Sequence, residues 1–137
     1  MAEQHDPETG ITDGLLARAT RSNTVPKFFH LLTDSEYFNR AGSLVHTDVT
    51  GTRDVPPPPT SRIYFIASAP HIVGAFPPAP YGNAEFKGRA SMNPLVYTNI
   101  VRALFRALDA WIVSGVEPPA SRHPLIADGT LVPAEAP

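Results

Sequence analysis

Sixteen prolines in 137 residues cut this chain into short pieces, because each proline fixes its own φ, removes a backbone donor and restricts its predecessor. Long strands and helices have few places left to form. The run Pro56-Pro57-Pro58-Pro59 must be extended polyproline, a stiff spacer over 56–60 without internal hydrogen bonds. It delivers the chain to Arg62-Ile63-Tyr64-Phe65-Ile66-Ala67-Ser68-Ala69-Pro70-His71, an apolar run rich in β-branched and aromatic residues. Apolar residues without alternation are the pattern of a strand covered on both faces in a mostly parallel α/β sheet. His71 then falls in a loop at the strand's carboxyl end, where open α/β sheets place their ligands. A lone histidine after a proline is more often an ordinary loop residue than a catalyst, so context must decide between the two readings.

A second buried strand is expected over Val25-Pro26-Lys27-Phe28-Phe29-His30-Leu31-Leu32, with Pro26 at its start, where a missing N–H is tolerated. Thr33-Asp34-Ser35-Glu36 follows at its end. Two carboxylates, Asp34 and Glu36, therefore stand just beyond a sheet strand, where one can orient a histidine arriving from a neighbouring strand. The alternative is that Asp34 or Ser35 only caps a short helix begun by Glu36-Tyr37-Phe38. Nearer the amino terminus, Ala2 to Gly10 reads as a polar loop, and Thr12 or Asp13 as the cap of a short helix through Ala19.

The clearest helix begins at Asn93 as its cap, with Pro94 in the first helical position. Tyr97, Val101, Leu104, Leu108 and Trp111 recur at helical spacing, and Ile100, Phe105 and Ile112 widen the stripe. That face is predicted to be buried and to make the helix the main stabiliser of the His71 strand. Gly115 ends the helix and Pro118-Pro119 prevents continuation. Between His71 and Asn93, the aromatics Phe76, Tyr81 and Phe86 in a long glycine- and proline-rich loop suggest a lid or pocket wall. Residues 117–137 read as a proline-rich tail pinned by Leu125, Ile126, Leu131 and Val132, with a turn at Asp128-Gly129.

A formal net charge of −2 with scattered basic residues gives no electrostatic reason to expect nucleic acid or an anionic membrane as partner. There is no cysteine, hence neither disulfides nor thiolate ligands. His46 and Asp48, one residue apart, are a potential metal half-site, but no third ligand is identifiable, so a surface pair is the reading preferred and no metal or cofactor is expected. The start of the sequence lacks a basic n-region and an apolar h-region, and no apolar span reaches membrane length. The expectation is no signal peptide, no transmembrane helix and a cytoplasmic location by default.

The order of elements, together with Ala2-Glu3-Gln4-His5-Asp6-Pro7-Glu8-Thr9-Gly10-Ile11-Thr12-Asp13-Gly14-Leu15-Leu16-Ala17-Arg18-Ala19, Ser35-Glu36-Tyr37, Leu44-Val45-His46-Thr47-Asp48, Arg62-Ile63-Tyr64, Gly115-Val116-Glu117-Pro118-Pro119-Ala120-Ser121-Arg122 and Ala127-Asp128-Gly129-Thr130-Leu131-Val132-Pro133, resembles the C-terminal portion of the bacterial α/β-hydrolase-domain family. The resemblance covers essentially the whole chain and implies one partial α/β domain over 1–137. It would comprise about two to three strands of a hydrolase-type sheet, a long packed C-terminal helix and proline-rich loops.

In such a hydrolase the triad follows in the order nucleophile, acid, histidine, with the acid after a late strand and the histidine after the last. The resemblance thus assigns His71 as the base and Glu36 as the acid, with Asp34 as the alternative acid. The family tends to flank this histidine with Gln and Gly, where this sequence has Pro70 and Ile72. No Gly-x-Ser-x-Gly occurs, and none of Ser22, Ser35, Ser43, Ser61, Ser68, Ser91, Ser114 or Ser121 sits in a glycine-flanked strand-to-helix turn. The oxyanion-hole segment is missing as well.

Two expectations follow. One is the C-terminal part of a serine hydrolase acting on small-molecule esters, active only when joined to an N-terminal hydrolase half and inactive alone. The other is a non-catalytic remnant or interaction domain that becomes a homo-oligomer through exposed sheet edges.

Overall fold

The computed structural model describes residues 3–78 and 91–133. At its centre are two parallel strands, β3 (Phe28–Thr33) and β4 (Ser61–Ile66), in register from Phe28 opposite Ser61 to Thr33 opposite Ile66. A parallel pair needs a crossover. Here it runs through helix α2 (Asp34–Asn39), a 3-10 turn (Gly42–Val45), and an extended stretch past Pro56 to Pro58 that turns back when Ser61 donates its N–H to the Pro58 carbonyl at 2.9 Å. The far edge of β4 is occupied in part by the carboxyl-terminal segment. Arg122 donates its N–H to the Ile63 carbonyl and accepts from the Phe65 N–H, both at 2.8 Å, in a parallel bridge opposite Tyr64. The predicted two to three strands are thus two strands and a short third rung.

Leu32, Tyr37 and Ile63 form the core, with Phe28, Val45, Phe65 and Leu131 packed against it. Leu131 belongs to the segment expected to be pinned. That segment carries its own turn, in which Gly129 takes φ +73 and Asp128 Oδ1 accepts the Thr130 N–H at 3.0 Å.

Three local expectations are corrected. The amino-terminal stretch is a hairpin rather than a loop and a cap: β1 (Gln4–His5) pairs antiparallel with β2 (Thr12–Asp13). Asp6 closes its turn, accepting the Glu8 N–H on its side chain and the Gly10 N–H on its carbonyl, each at 2.9 Å. Helix α1 is confined to Ala17–Arg21, with Leu16 at its cap position. His46 and Asp48 are not a surface pair, for both are buried. His46 closes the 3-10 turn, and Asp48 folds back on Thr50, Thr52 and Arg53. Among the described residues no cluster of metal-ligating side chains occurs.

The long helix α3 spans Thr98–Ser114. It ends as predicted at Gly115, whose φ of +70 suits a residue without a Cβ, but starts a turn later than Asn93. Asn93 instead makes a local turn, its Oδ1 accepting the Leu95 N–H at 2.9 Å. The predicted buried stripe is narrower: Trp111 is 3% exposed, whereas Ile100, Phe105 and Ile112 are 49%, 64% and 57% exposed. The reason is area, since two strands cannot cover so wide a helix face. α3 is therefore not the main stabiliser of β4. It is pinned through Trp111, whose ring stacks on Phe29 with centroids 6.0 Å apart and lies under Arg62, while its carbonyl accepts from Lys27 Nζ at 2.6 Å. No helix among the described residues is long and apolar enough to cross a membrane. Phe76 is 83% exposed and packs as no pocket wall, while Tyr81 and Phe86 lie outside the described residues.

Candidate functional site

β3 and β4 end side by side, and the two segments that leave them are tied together. β3 passes directly into α2, whose start is specified locally. Thr33 donates its backbone N–H to Glu36 Oε2 at 2.9 Å, and its hydroxyl meets the same oxygen, a capping-box pair. The cap residue is thus Thr33, not Asp34 or Ser35 as the sequence suggested. The spacing Thr33-x-x-Glu36 is the readable signature that the sequence reading passed over.

β4 leaves its last residue through a tight turn in which Ser68 takes φ +61. Three consecutive residues of the first turn of α2 then hold the emerging chain. Asp34 Oδ1 accepts the Ser68 N–H at 3.1 Å, and the Asp34 N–H reaches the Ala69 carbonyl at 3.1 Å. Ser35 Oγ accepts the His71 backbone N–H at 3.1 Å. The Glu36 Oε1 atom meets His71 Nδ1. From the other side, Asn93 Nδ2 donates to the Ser68 carbonyl at 2.5 Å, and the Tyr97 hydroxyl reaches the His71 carbonyl at 3.4 Å.

Of the three residues singled out from sequence, two are brought together. Glu36 and His71 form the pair, whereas Asp34 holds the backbone of the loop. Glu36 both caps the helix and meets the histidine, one oxygen for each. Burial opposes the Glu36 charge, but the bonds from the Thr33 hydroxyl, the Thr33 N–H and His71 together outweigh it and hold the carboxyl below its usual range. Glu36 is therefore ionised at neutral pH. The imidazole is 71% exposed. With Nδ1 committed to the carboxylate, Nε2 is the nitrogen left to exchange a proton with another group.

The strand-to-helix turn between β3 and α2 is occupied by Thr33-Asp34-Ser35 and contains no glycine. Ser35 is turned to the His71 backbone rather than to its ring. Two adjacent parallel strands, each releasing one member of an acid–histidine pair at its carboxyl end, with no nucleophile elbow among the described residues, is the arrangement that the chain presents.

The sequence of residues 2–135 matches the family described as the alpha/beta hydrolase domain. The chain belongs to this family. No curated protein and no solved structure matches it. Within the alpha/beta hydrolase domain, the parallel pair and its helices form a partial α/β fold, as the sequence led one to expect.

A second polar cluster, which sequence reasoning missed, forms around Tyr37 of α2. His46, taken from sequence as a surface residue, is 1% exposed. Its Nε2 lies 2.9 Å from the Tyr37 hydroxyl, and its ring stacks on His123 with centroids 4.2 Å apart. Burial, then repulsion from His123, lowers the His46 pKa to about 4. Burial, with the Asp54 charge second, pushes Tyr37 up to about 12. His123 carried no signal in the sequence, because it meets His46 only through the fold.

Proposed function

We propose that this alpha/beta hydrolase domain supplies the acid and the histidine of a Ser-Glu-His triad for hydrolysis of small-molecule carboxylic esters, the serine coming from an N-terminal hydrolase half. The observation that carries the reading is the contact of Glu36 Oε1 with His71 Nδ1 at the carboxyl ends of two adjacent parallel strands. Glu36 keeps the imidazole in the tautomer with the proton on Nδ1 and stabilises the imidazolium when it forms. Nε2 takes the hydroxyl proton of the serine as its Oγ attacks the ester carbonyl, then returns that proton to the departing alcohol. In the second half-reaction Nε2 deprotonates water, which releases the acid and restores the serine. Asp34 has a positioning role in this scheme, fixing the loop that carries His71.

The test is labelling by a serine-directed fluorophosphonate. The chain alone is expected to remain unlabelled. Co-expression with the segment encoded upstream of Met1 is expected to give labelling and ester hydrolysis that are lost in His71→Ala. Robust labelling of the chain alone overturns the assignment of the nucleophile elsewhere.

A second reading is favoured by one observation: among the described residues β3 pairs with β4 alone, leaving an edge for another chain. On that reading the domain is a non-catalytic interaction module. An upstream region without a Gly-x-Ser-x-Gly segment, and a homo-oligomer in sedimentation, would select it.

A further inference from the structure

The stacked histidines stand where the carboxyl-terminal segment crosses the body of the domain. His46 closes the 3-10 turn of Gly42–Val45, and His123 follows Arg122, the residue bonded to the edge of β4. Their rings are nearly parallel, 23° apart with centroids at 4.2 Å. The same segment is tied down at three further places, one of them Ser121 Oγ, which accepts the Ile63 N–H at 3.0 Å. Asp54 accepts the Ile126 N–H at 3.0 Å and the Ala127 N–H at 2.9 Å, and Leu131 packs against the core.

His46 is badly provided for in its charged form. Its Nδ1 is buried and has no hydrogen-bond partner among the described residues. If Tyr37 donates to Nε2, the proton on Nδ1 has no acceptor; if Nε2 donates to Tyr37, the Nδ1 lone pair has no donor. Adding a second proton leaves a buried N–H unmatched in either case and places a charge against the face of His123. His123 Nδ1 is itself committed, since its contact at 3.1 Å is with the Pro124 carbonyl, which can only accept.

The groups facing His46 from each neighbouring element are few. Tyr37 on α2 remains a neutral phenol. Asp54, from the stretch before the prolines, favours the protonated ring, but its carboxylate is already engaged by two backbone N–H groups. His123 opposes protonation, a hydrogen bond to the backbone of His46 itself favours it, and burial, the largest influence, carries the net effect downward. The 3-10 turn itself contributes no charged side chain.

We propose that the His46–His123 stack is an acid-sensitive latch that holds residues 121–132 across the edge of β4 while the His46 ring is neutral and releases them when that ring takes up a proton. Release uncovers the backbone of Ile63 to Phe65 and the side of the core that Leu131 covers. The sign follows from linkage. The His46 pKa is lowered from its ordinary value of 6.5 to about 4 by burial first and by His123 second, so protons favour a state in which the ring is freed from both. Latching is fully favoured above pH 6.5 and weakens as pH falls towards 4. One site shifted by that much changes the latching equilibrium on the order of 100-fold across this window.

The test is amide hydrogen exchange on the whole chain from pH 7 to pH 4, corrected for the intrinsic pH dependence of exchange. The reporting amides are Phe65, Arg122, Ile126 and Ala127, and the reference amides are those of the β3–β4 ladder. Protection of the reporters is expected to fall on the order of 100-fold while the ladder stays protected. His46→Phe is expected to keep the pH 7 protection and to flatten the pH dependence. His123→Phe, which keeps a stacked ring but removes the repulsion that opposes a charge on His46, provides the check should His46→Phe fold poorly, and is expected to reduce the dependence. Loss of protection in ladder and reporters together, or an undiminished dependence in the variants, overturns the latch. A dependence abolished by Asp54→Asn alone overturns it too, by assigning the effect to that carboxylate.

Discussion

Glu36 serves two partners with two oxygens, and Glu36→Gln separates them. A glutamine has one acceptor oxygen and one NH2 group in the same positions. The capping box accepts Gln as well as Glu, so the amide oxygen can keep the Thr33 N–H, now bonded at 2.9 Å. Its NH2 group then faces His71 Nδ1, and donor against donor forces the ring proton to Nε2. Glu36→Ala removes both contacts.

The magnitudes differ accordingly. Loss of the cap costs about 1 kcal/mol, and the contact with a histidine ring 71% exposed adds less than about 1 kcal/mol after solvent screening. Glu36→Ala should therefore lose about 1 to 2 kcal/mol, a fall in Tm of roughly 3 to 8 °C for a domain of this size. Glu36→Gln should lose well under half of that. In the complemented enzyme, however, Glu36→Gln should lower kcat by up to about 10⁴-fold, as expected for a triad held in the wrong tautomer.

Thermal unfolding by circular dichroism measures the first effect, and 15N chemical shifts of the His71 ring measure the tautomer without any need for activity. Equal stability losses in the two variants would refute the double role of Glu36. An unchanged His71 tautomer in Glu36→Gln would refute the orienting contact itself.

Because the Glu36 carboxyl is held below its usual value of 4.5, its bonds stabilise the fold fully above that pH. The contribution fades as pH falls through the lower folded-state value, so urea midpoints should show an acid limb that Glu36→Gln diminishes. Trp111→Ala removes the Phe29 stack and the surface beneath Arg62 and Lys27. It should cost about 3 to 5 kcal/mol in urea unfolding and open α3 to limited proteolysis at neutral pH. Gly42→Ala places a Cβ 2.9 Å from the Glu36 carbonyl oxygen and 2.9 Å from Tyr37 Cα. Both obstacles are backbone, so a loss of about 1 to 3 kcal/mol is expected, read as a lower Tm.

The sequence alone carried the parallel-sheet reading. Ile63 to Ile66 had to be a covered strand because its apolar residues do not alternate, and Gly115 followed by Pro118-Pro119 had to end a helix, as its φ of +70 then shows. It also carried the residues of the candidate site, since strand ends present the side chains that follow them. What it left open between Glu36 and Asp34 is a matter of angle. Both lie on the first turn of α2, two residues apart, and only the register of β3 against β4 determines which one meets His71. The width of the buried face of α3 escaped for a related reason: periodicity tells which residues share a face but not how much sheet exists to cover it. His46 shows the same division. Sequence placed a histidine near an aspartate, whereas burial beneath Tyr37 and stacking on a residue 77 positions later arise only when the chain closes on itself, because contacts between distant segments leave no local pattern in either one.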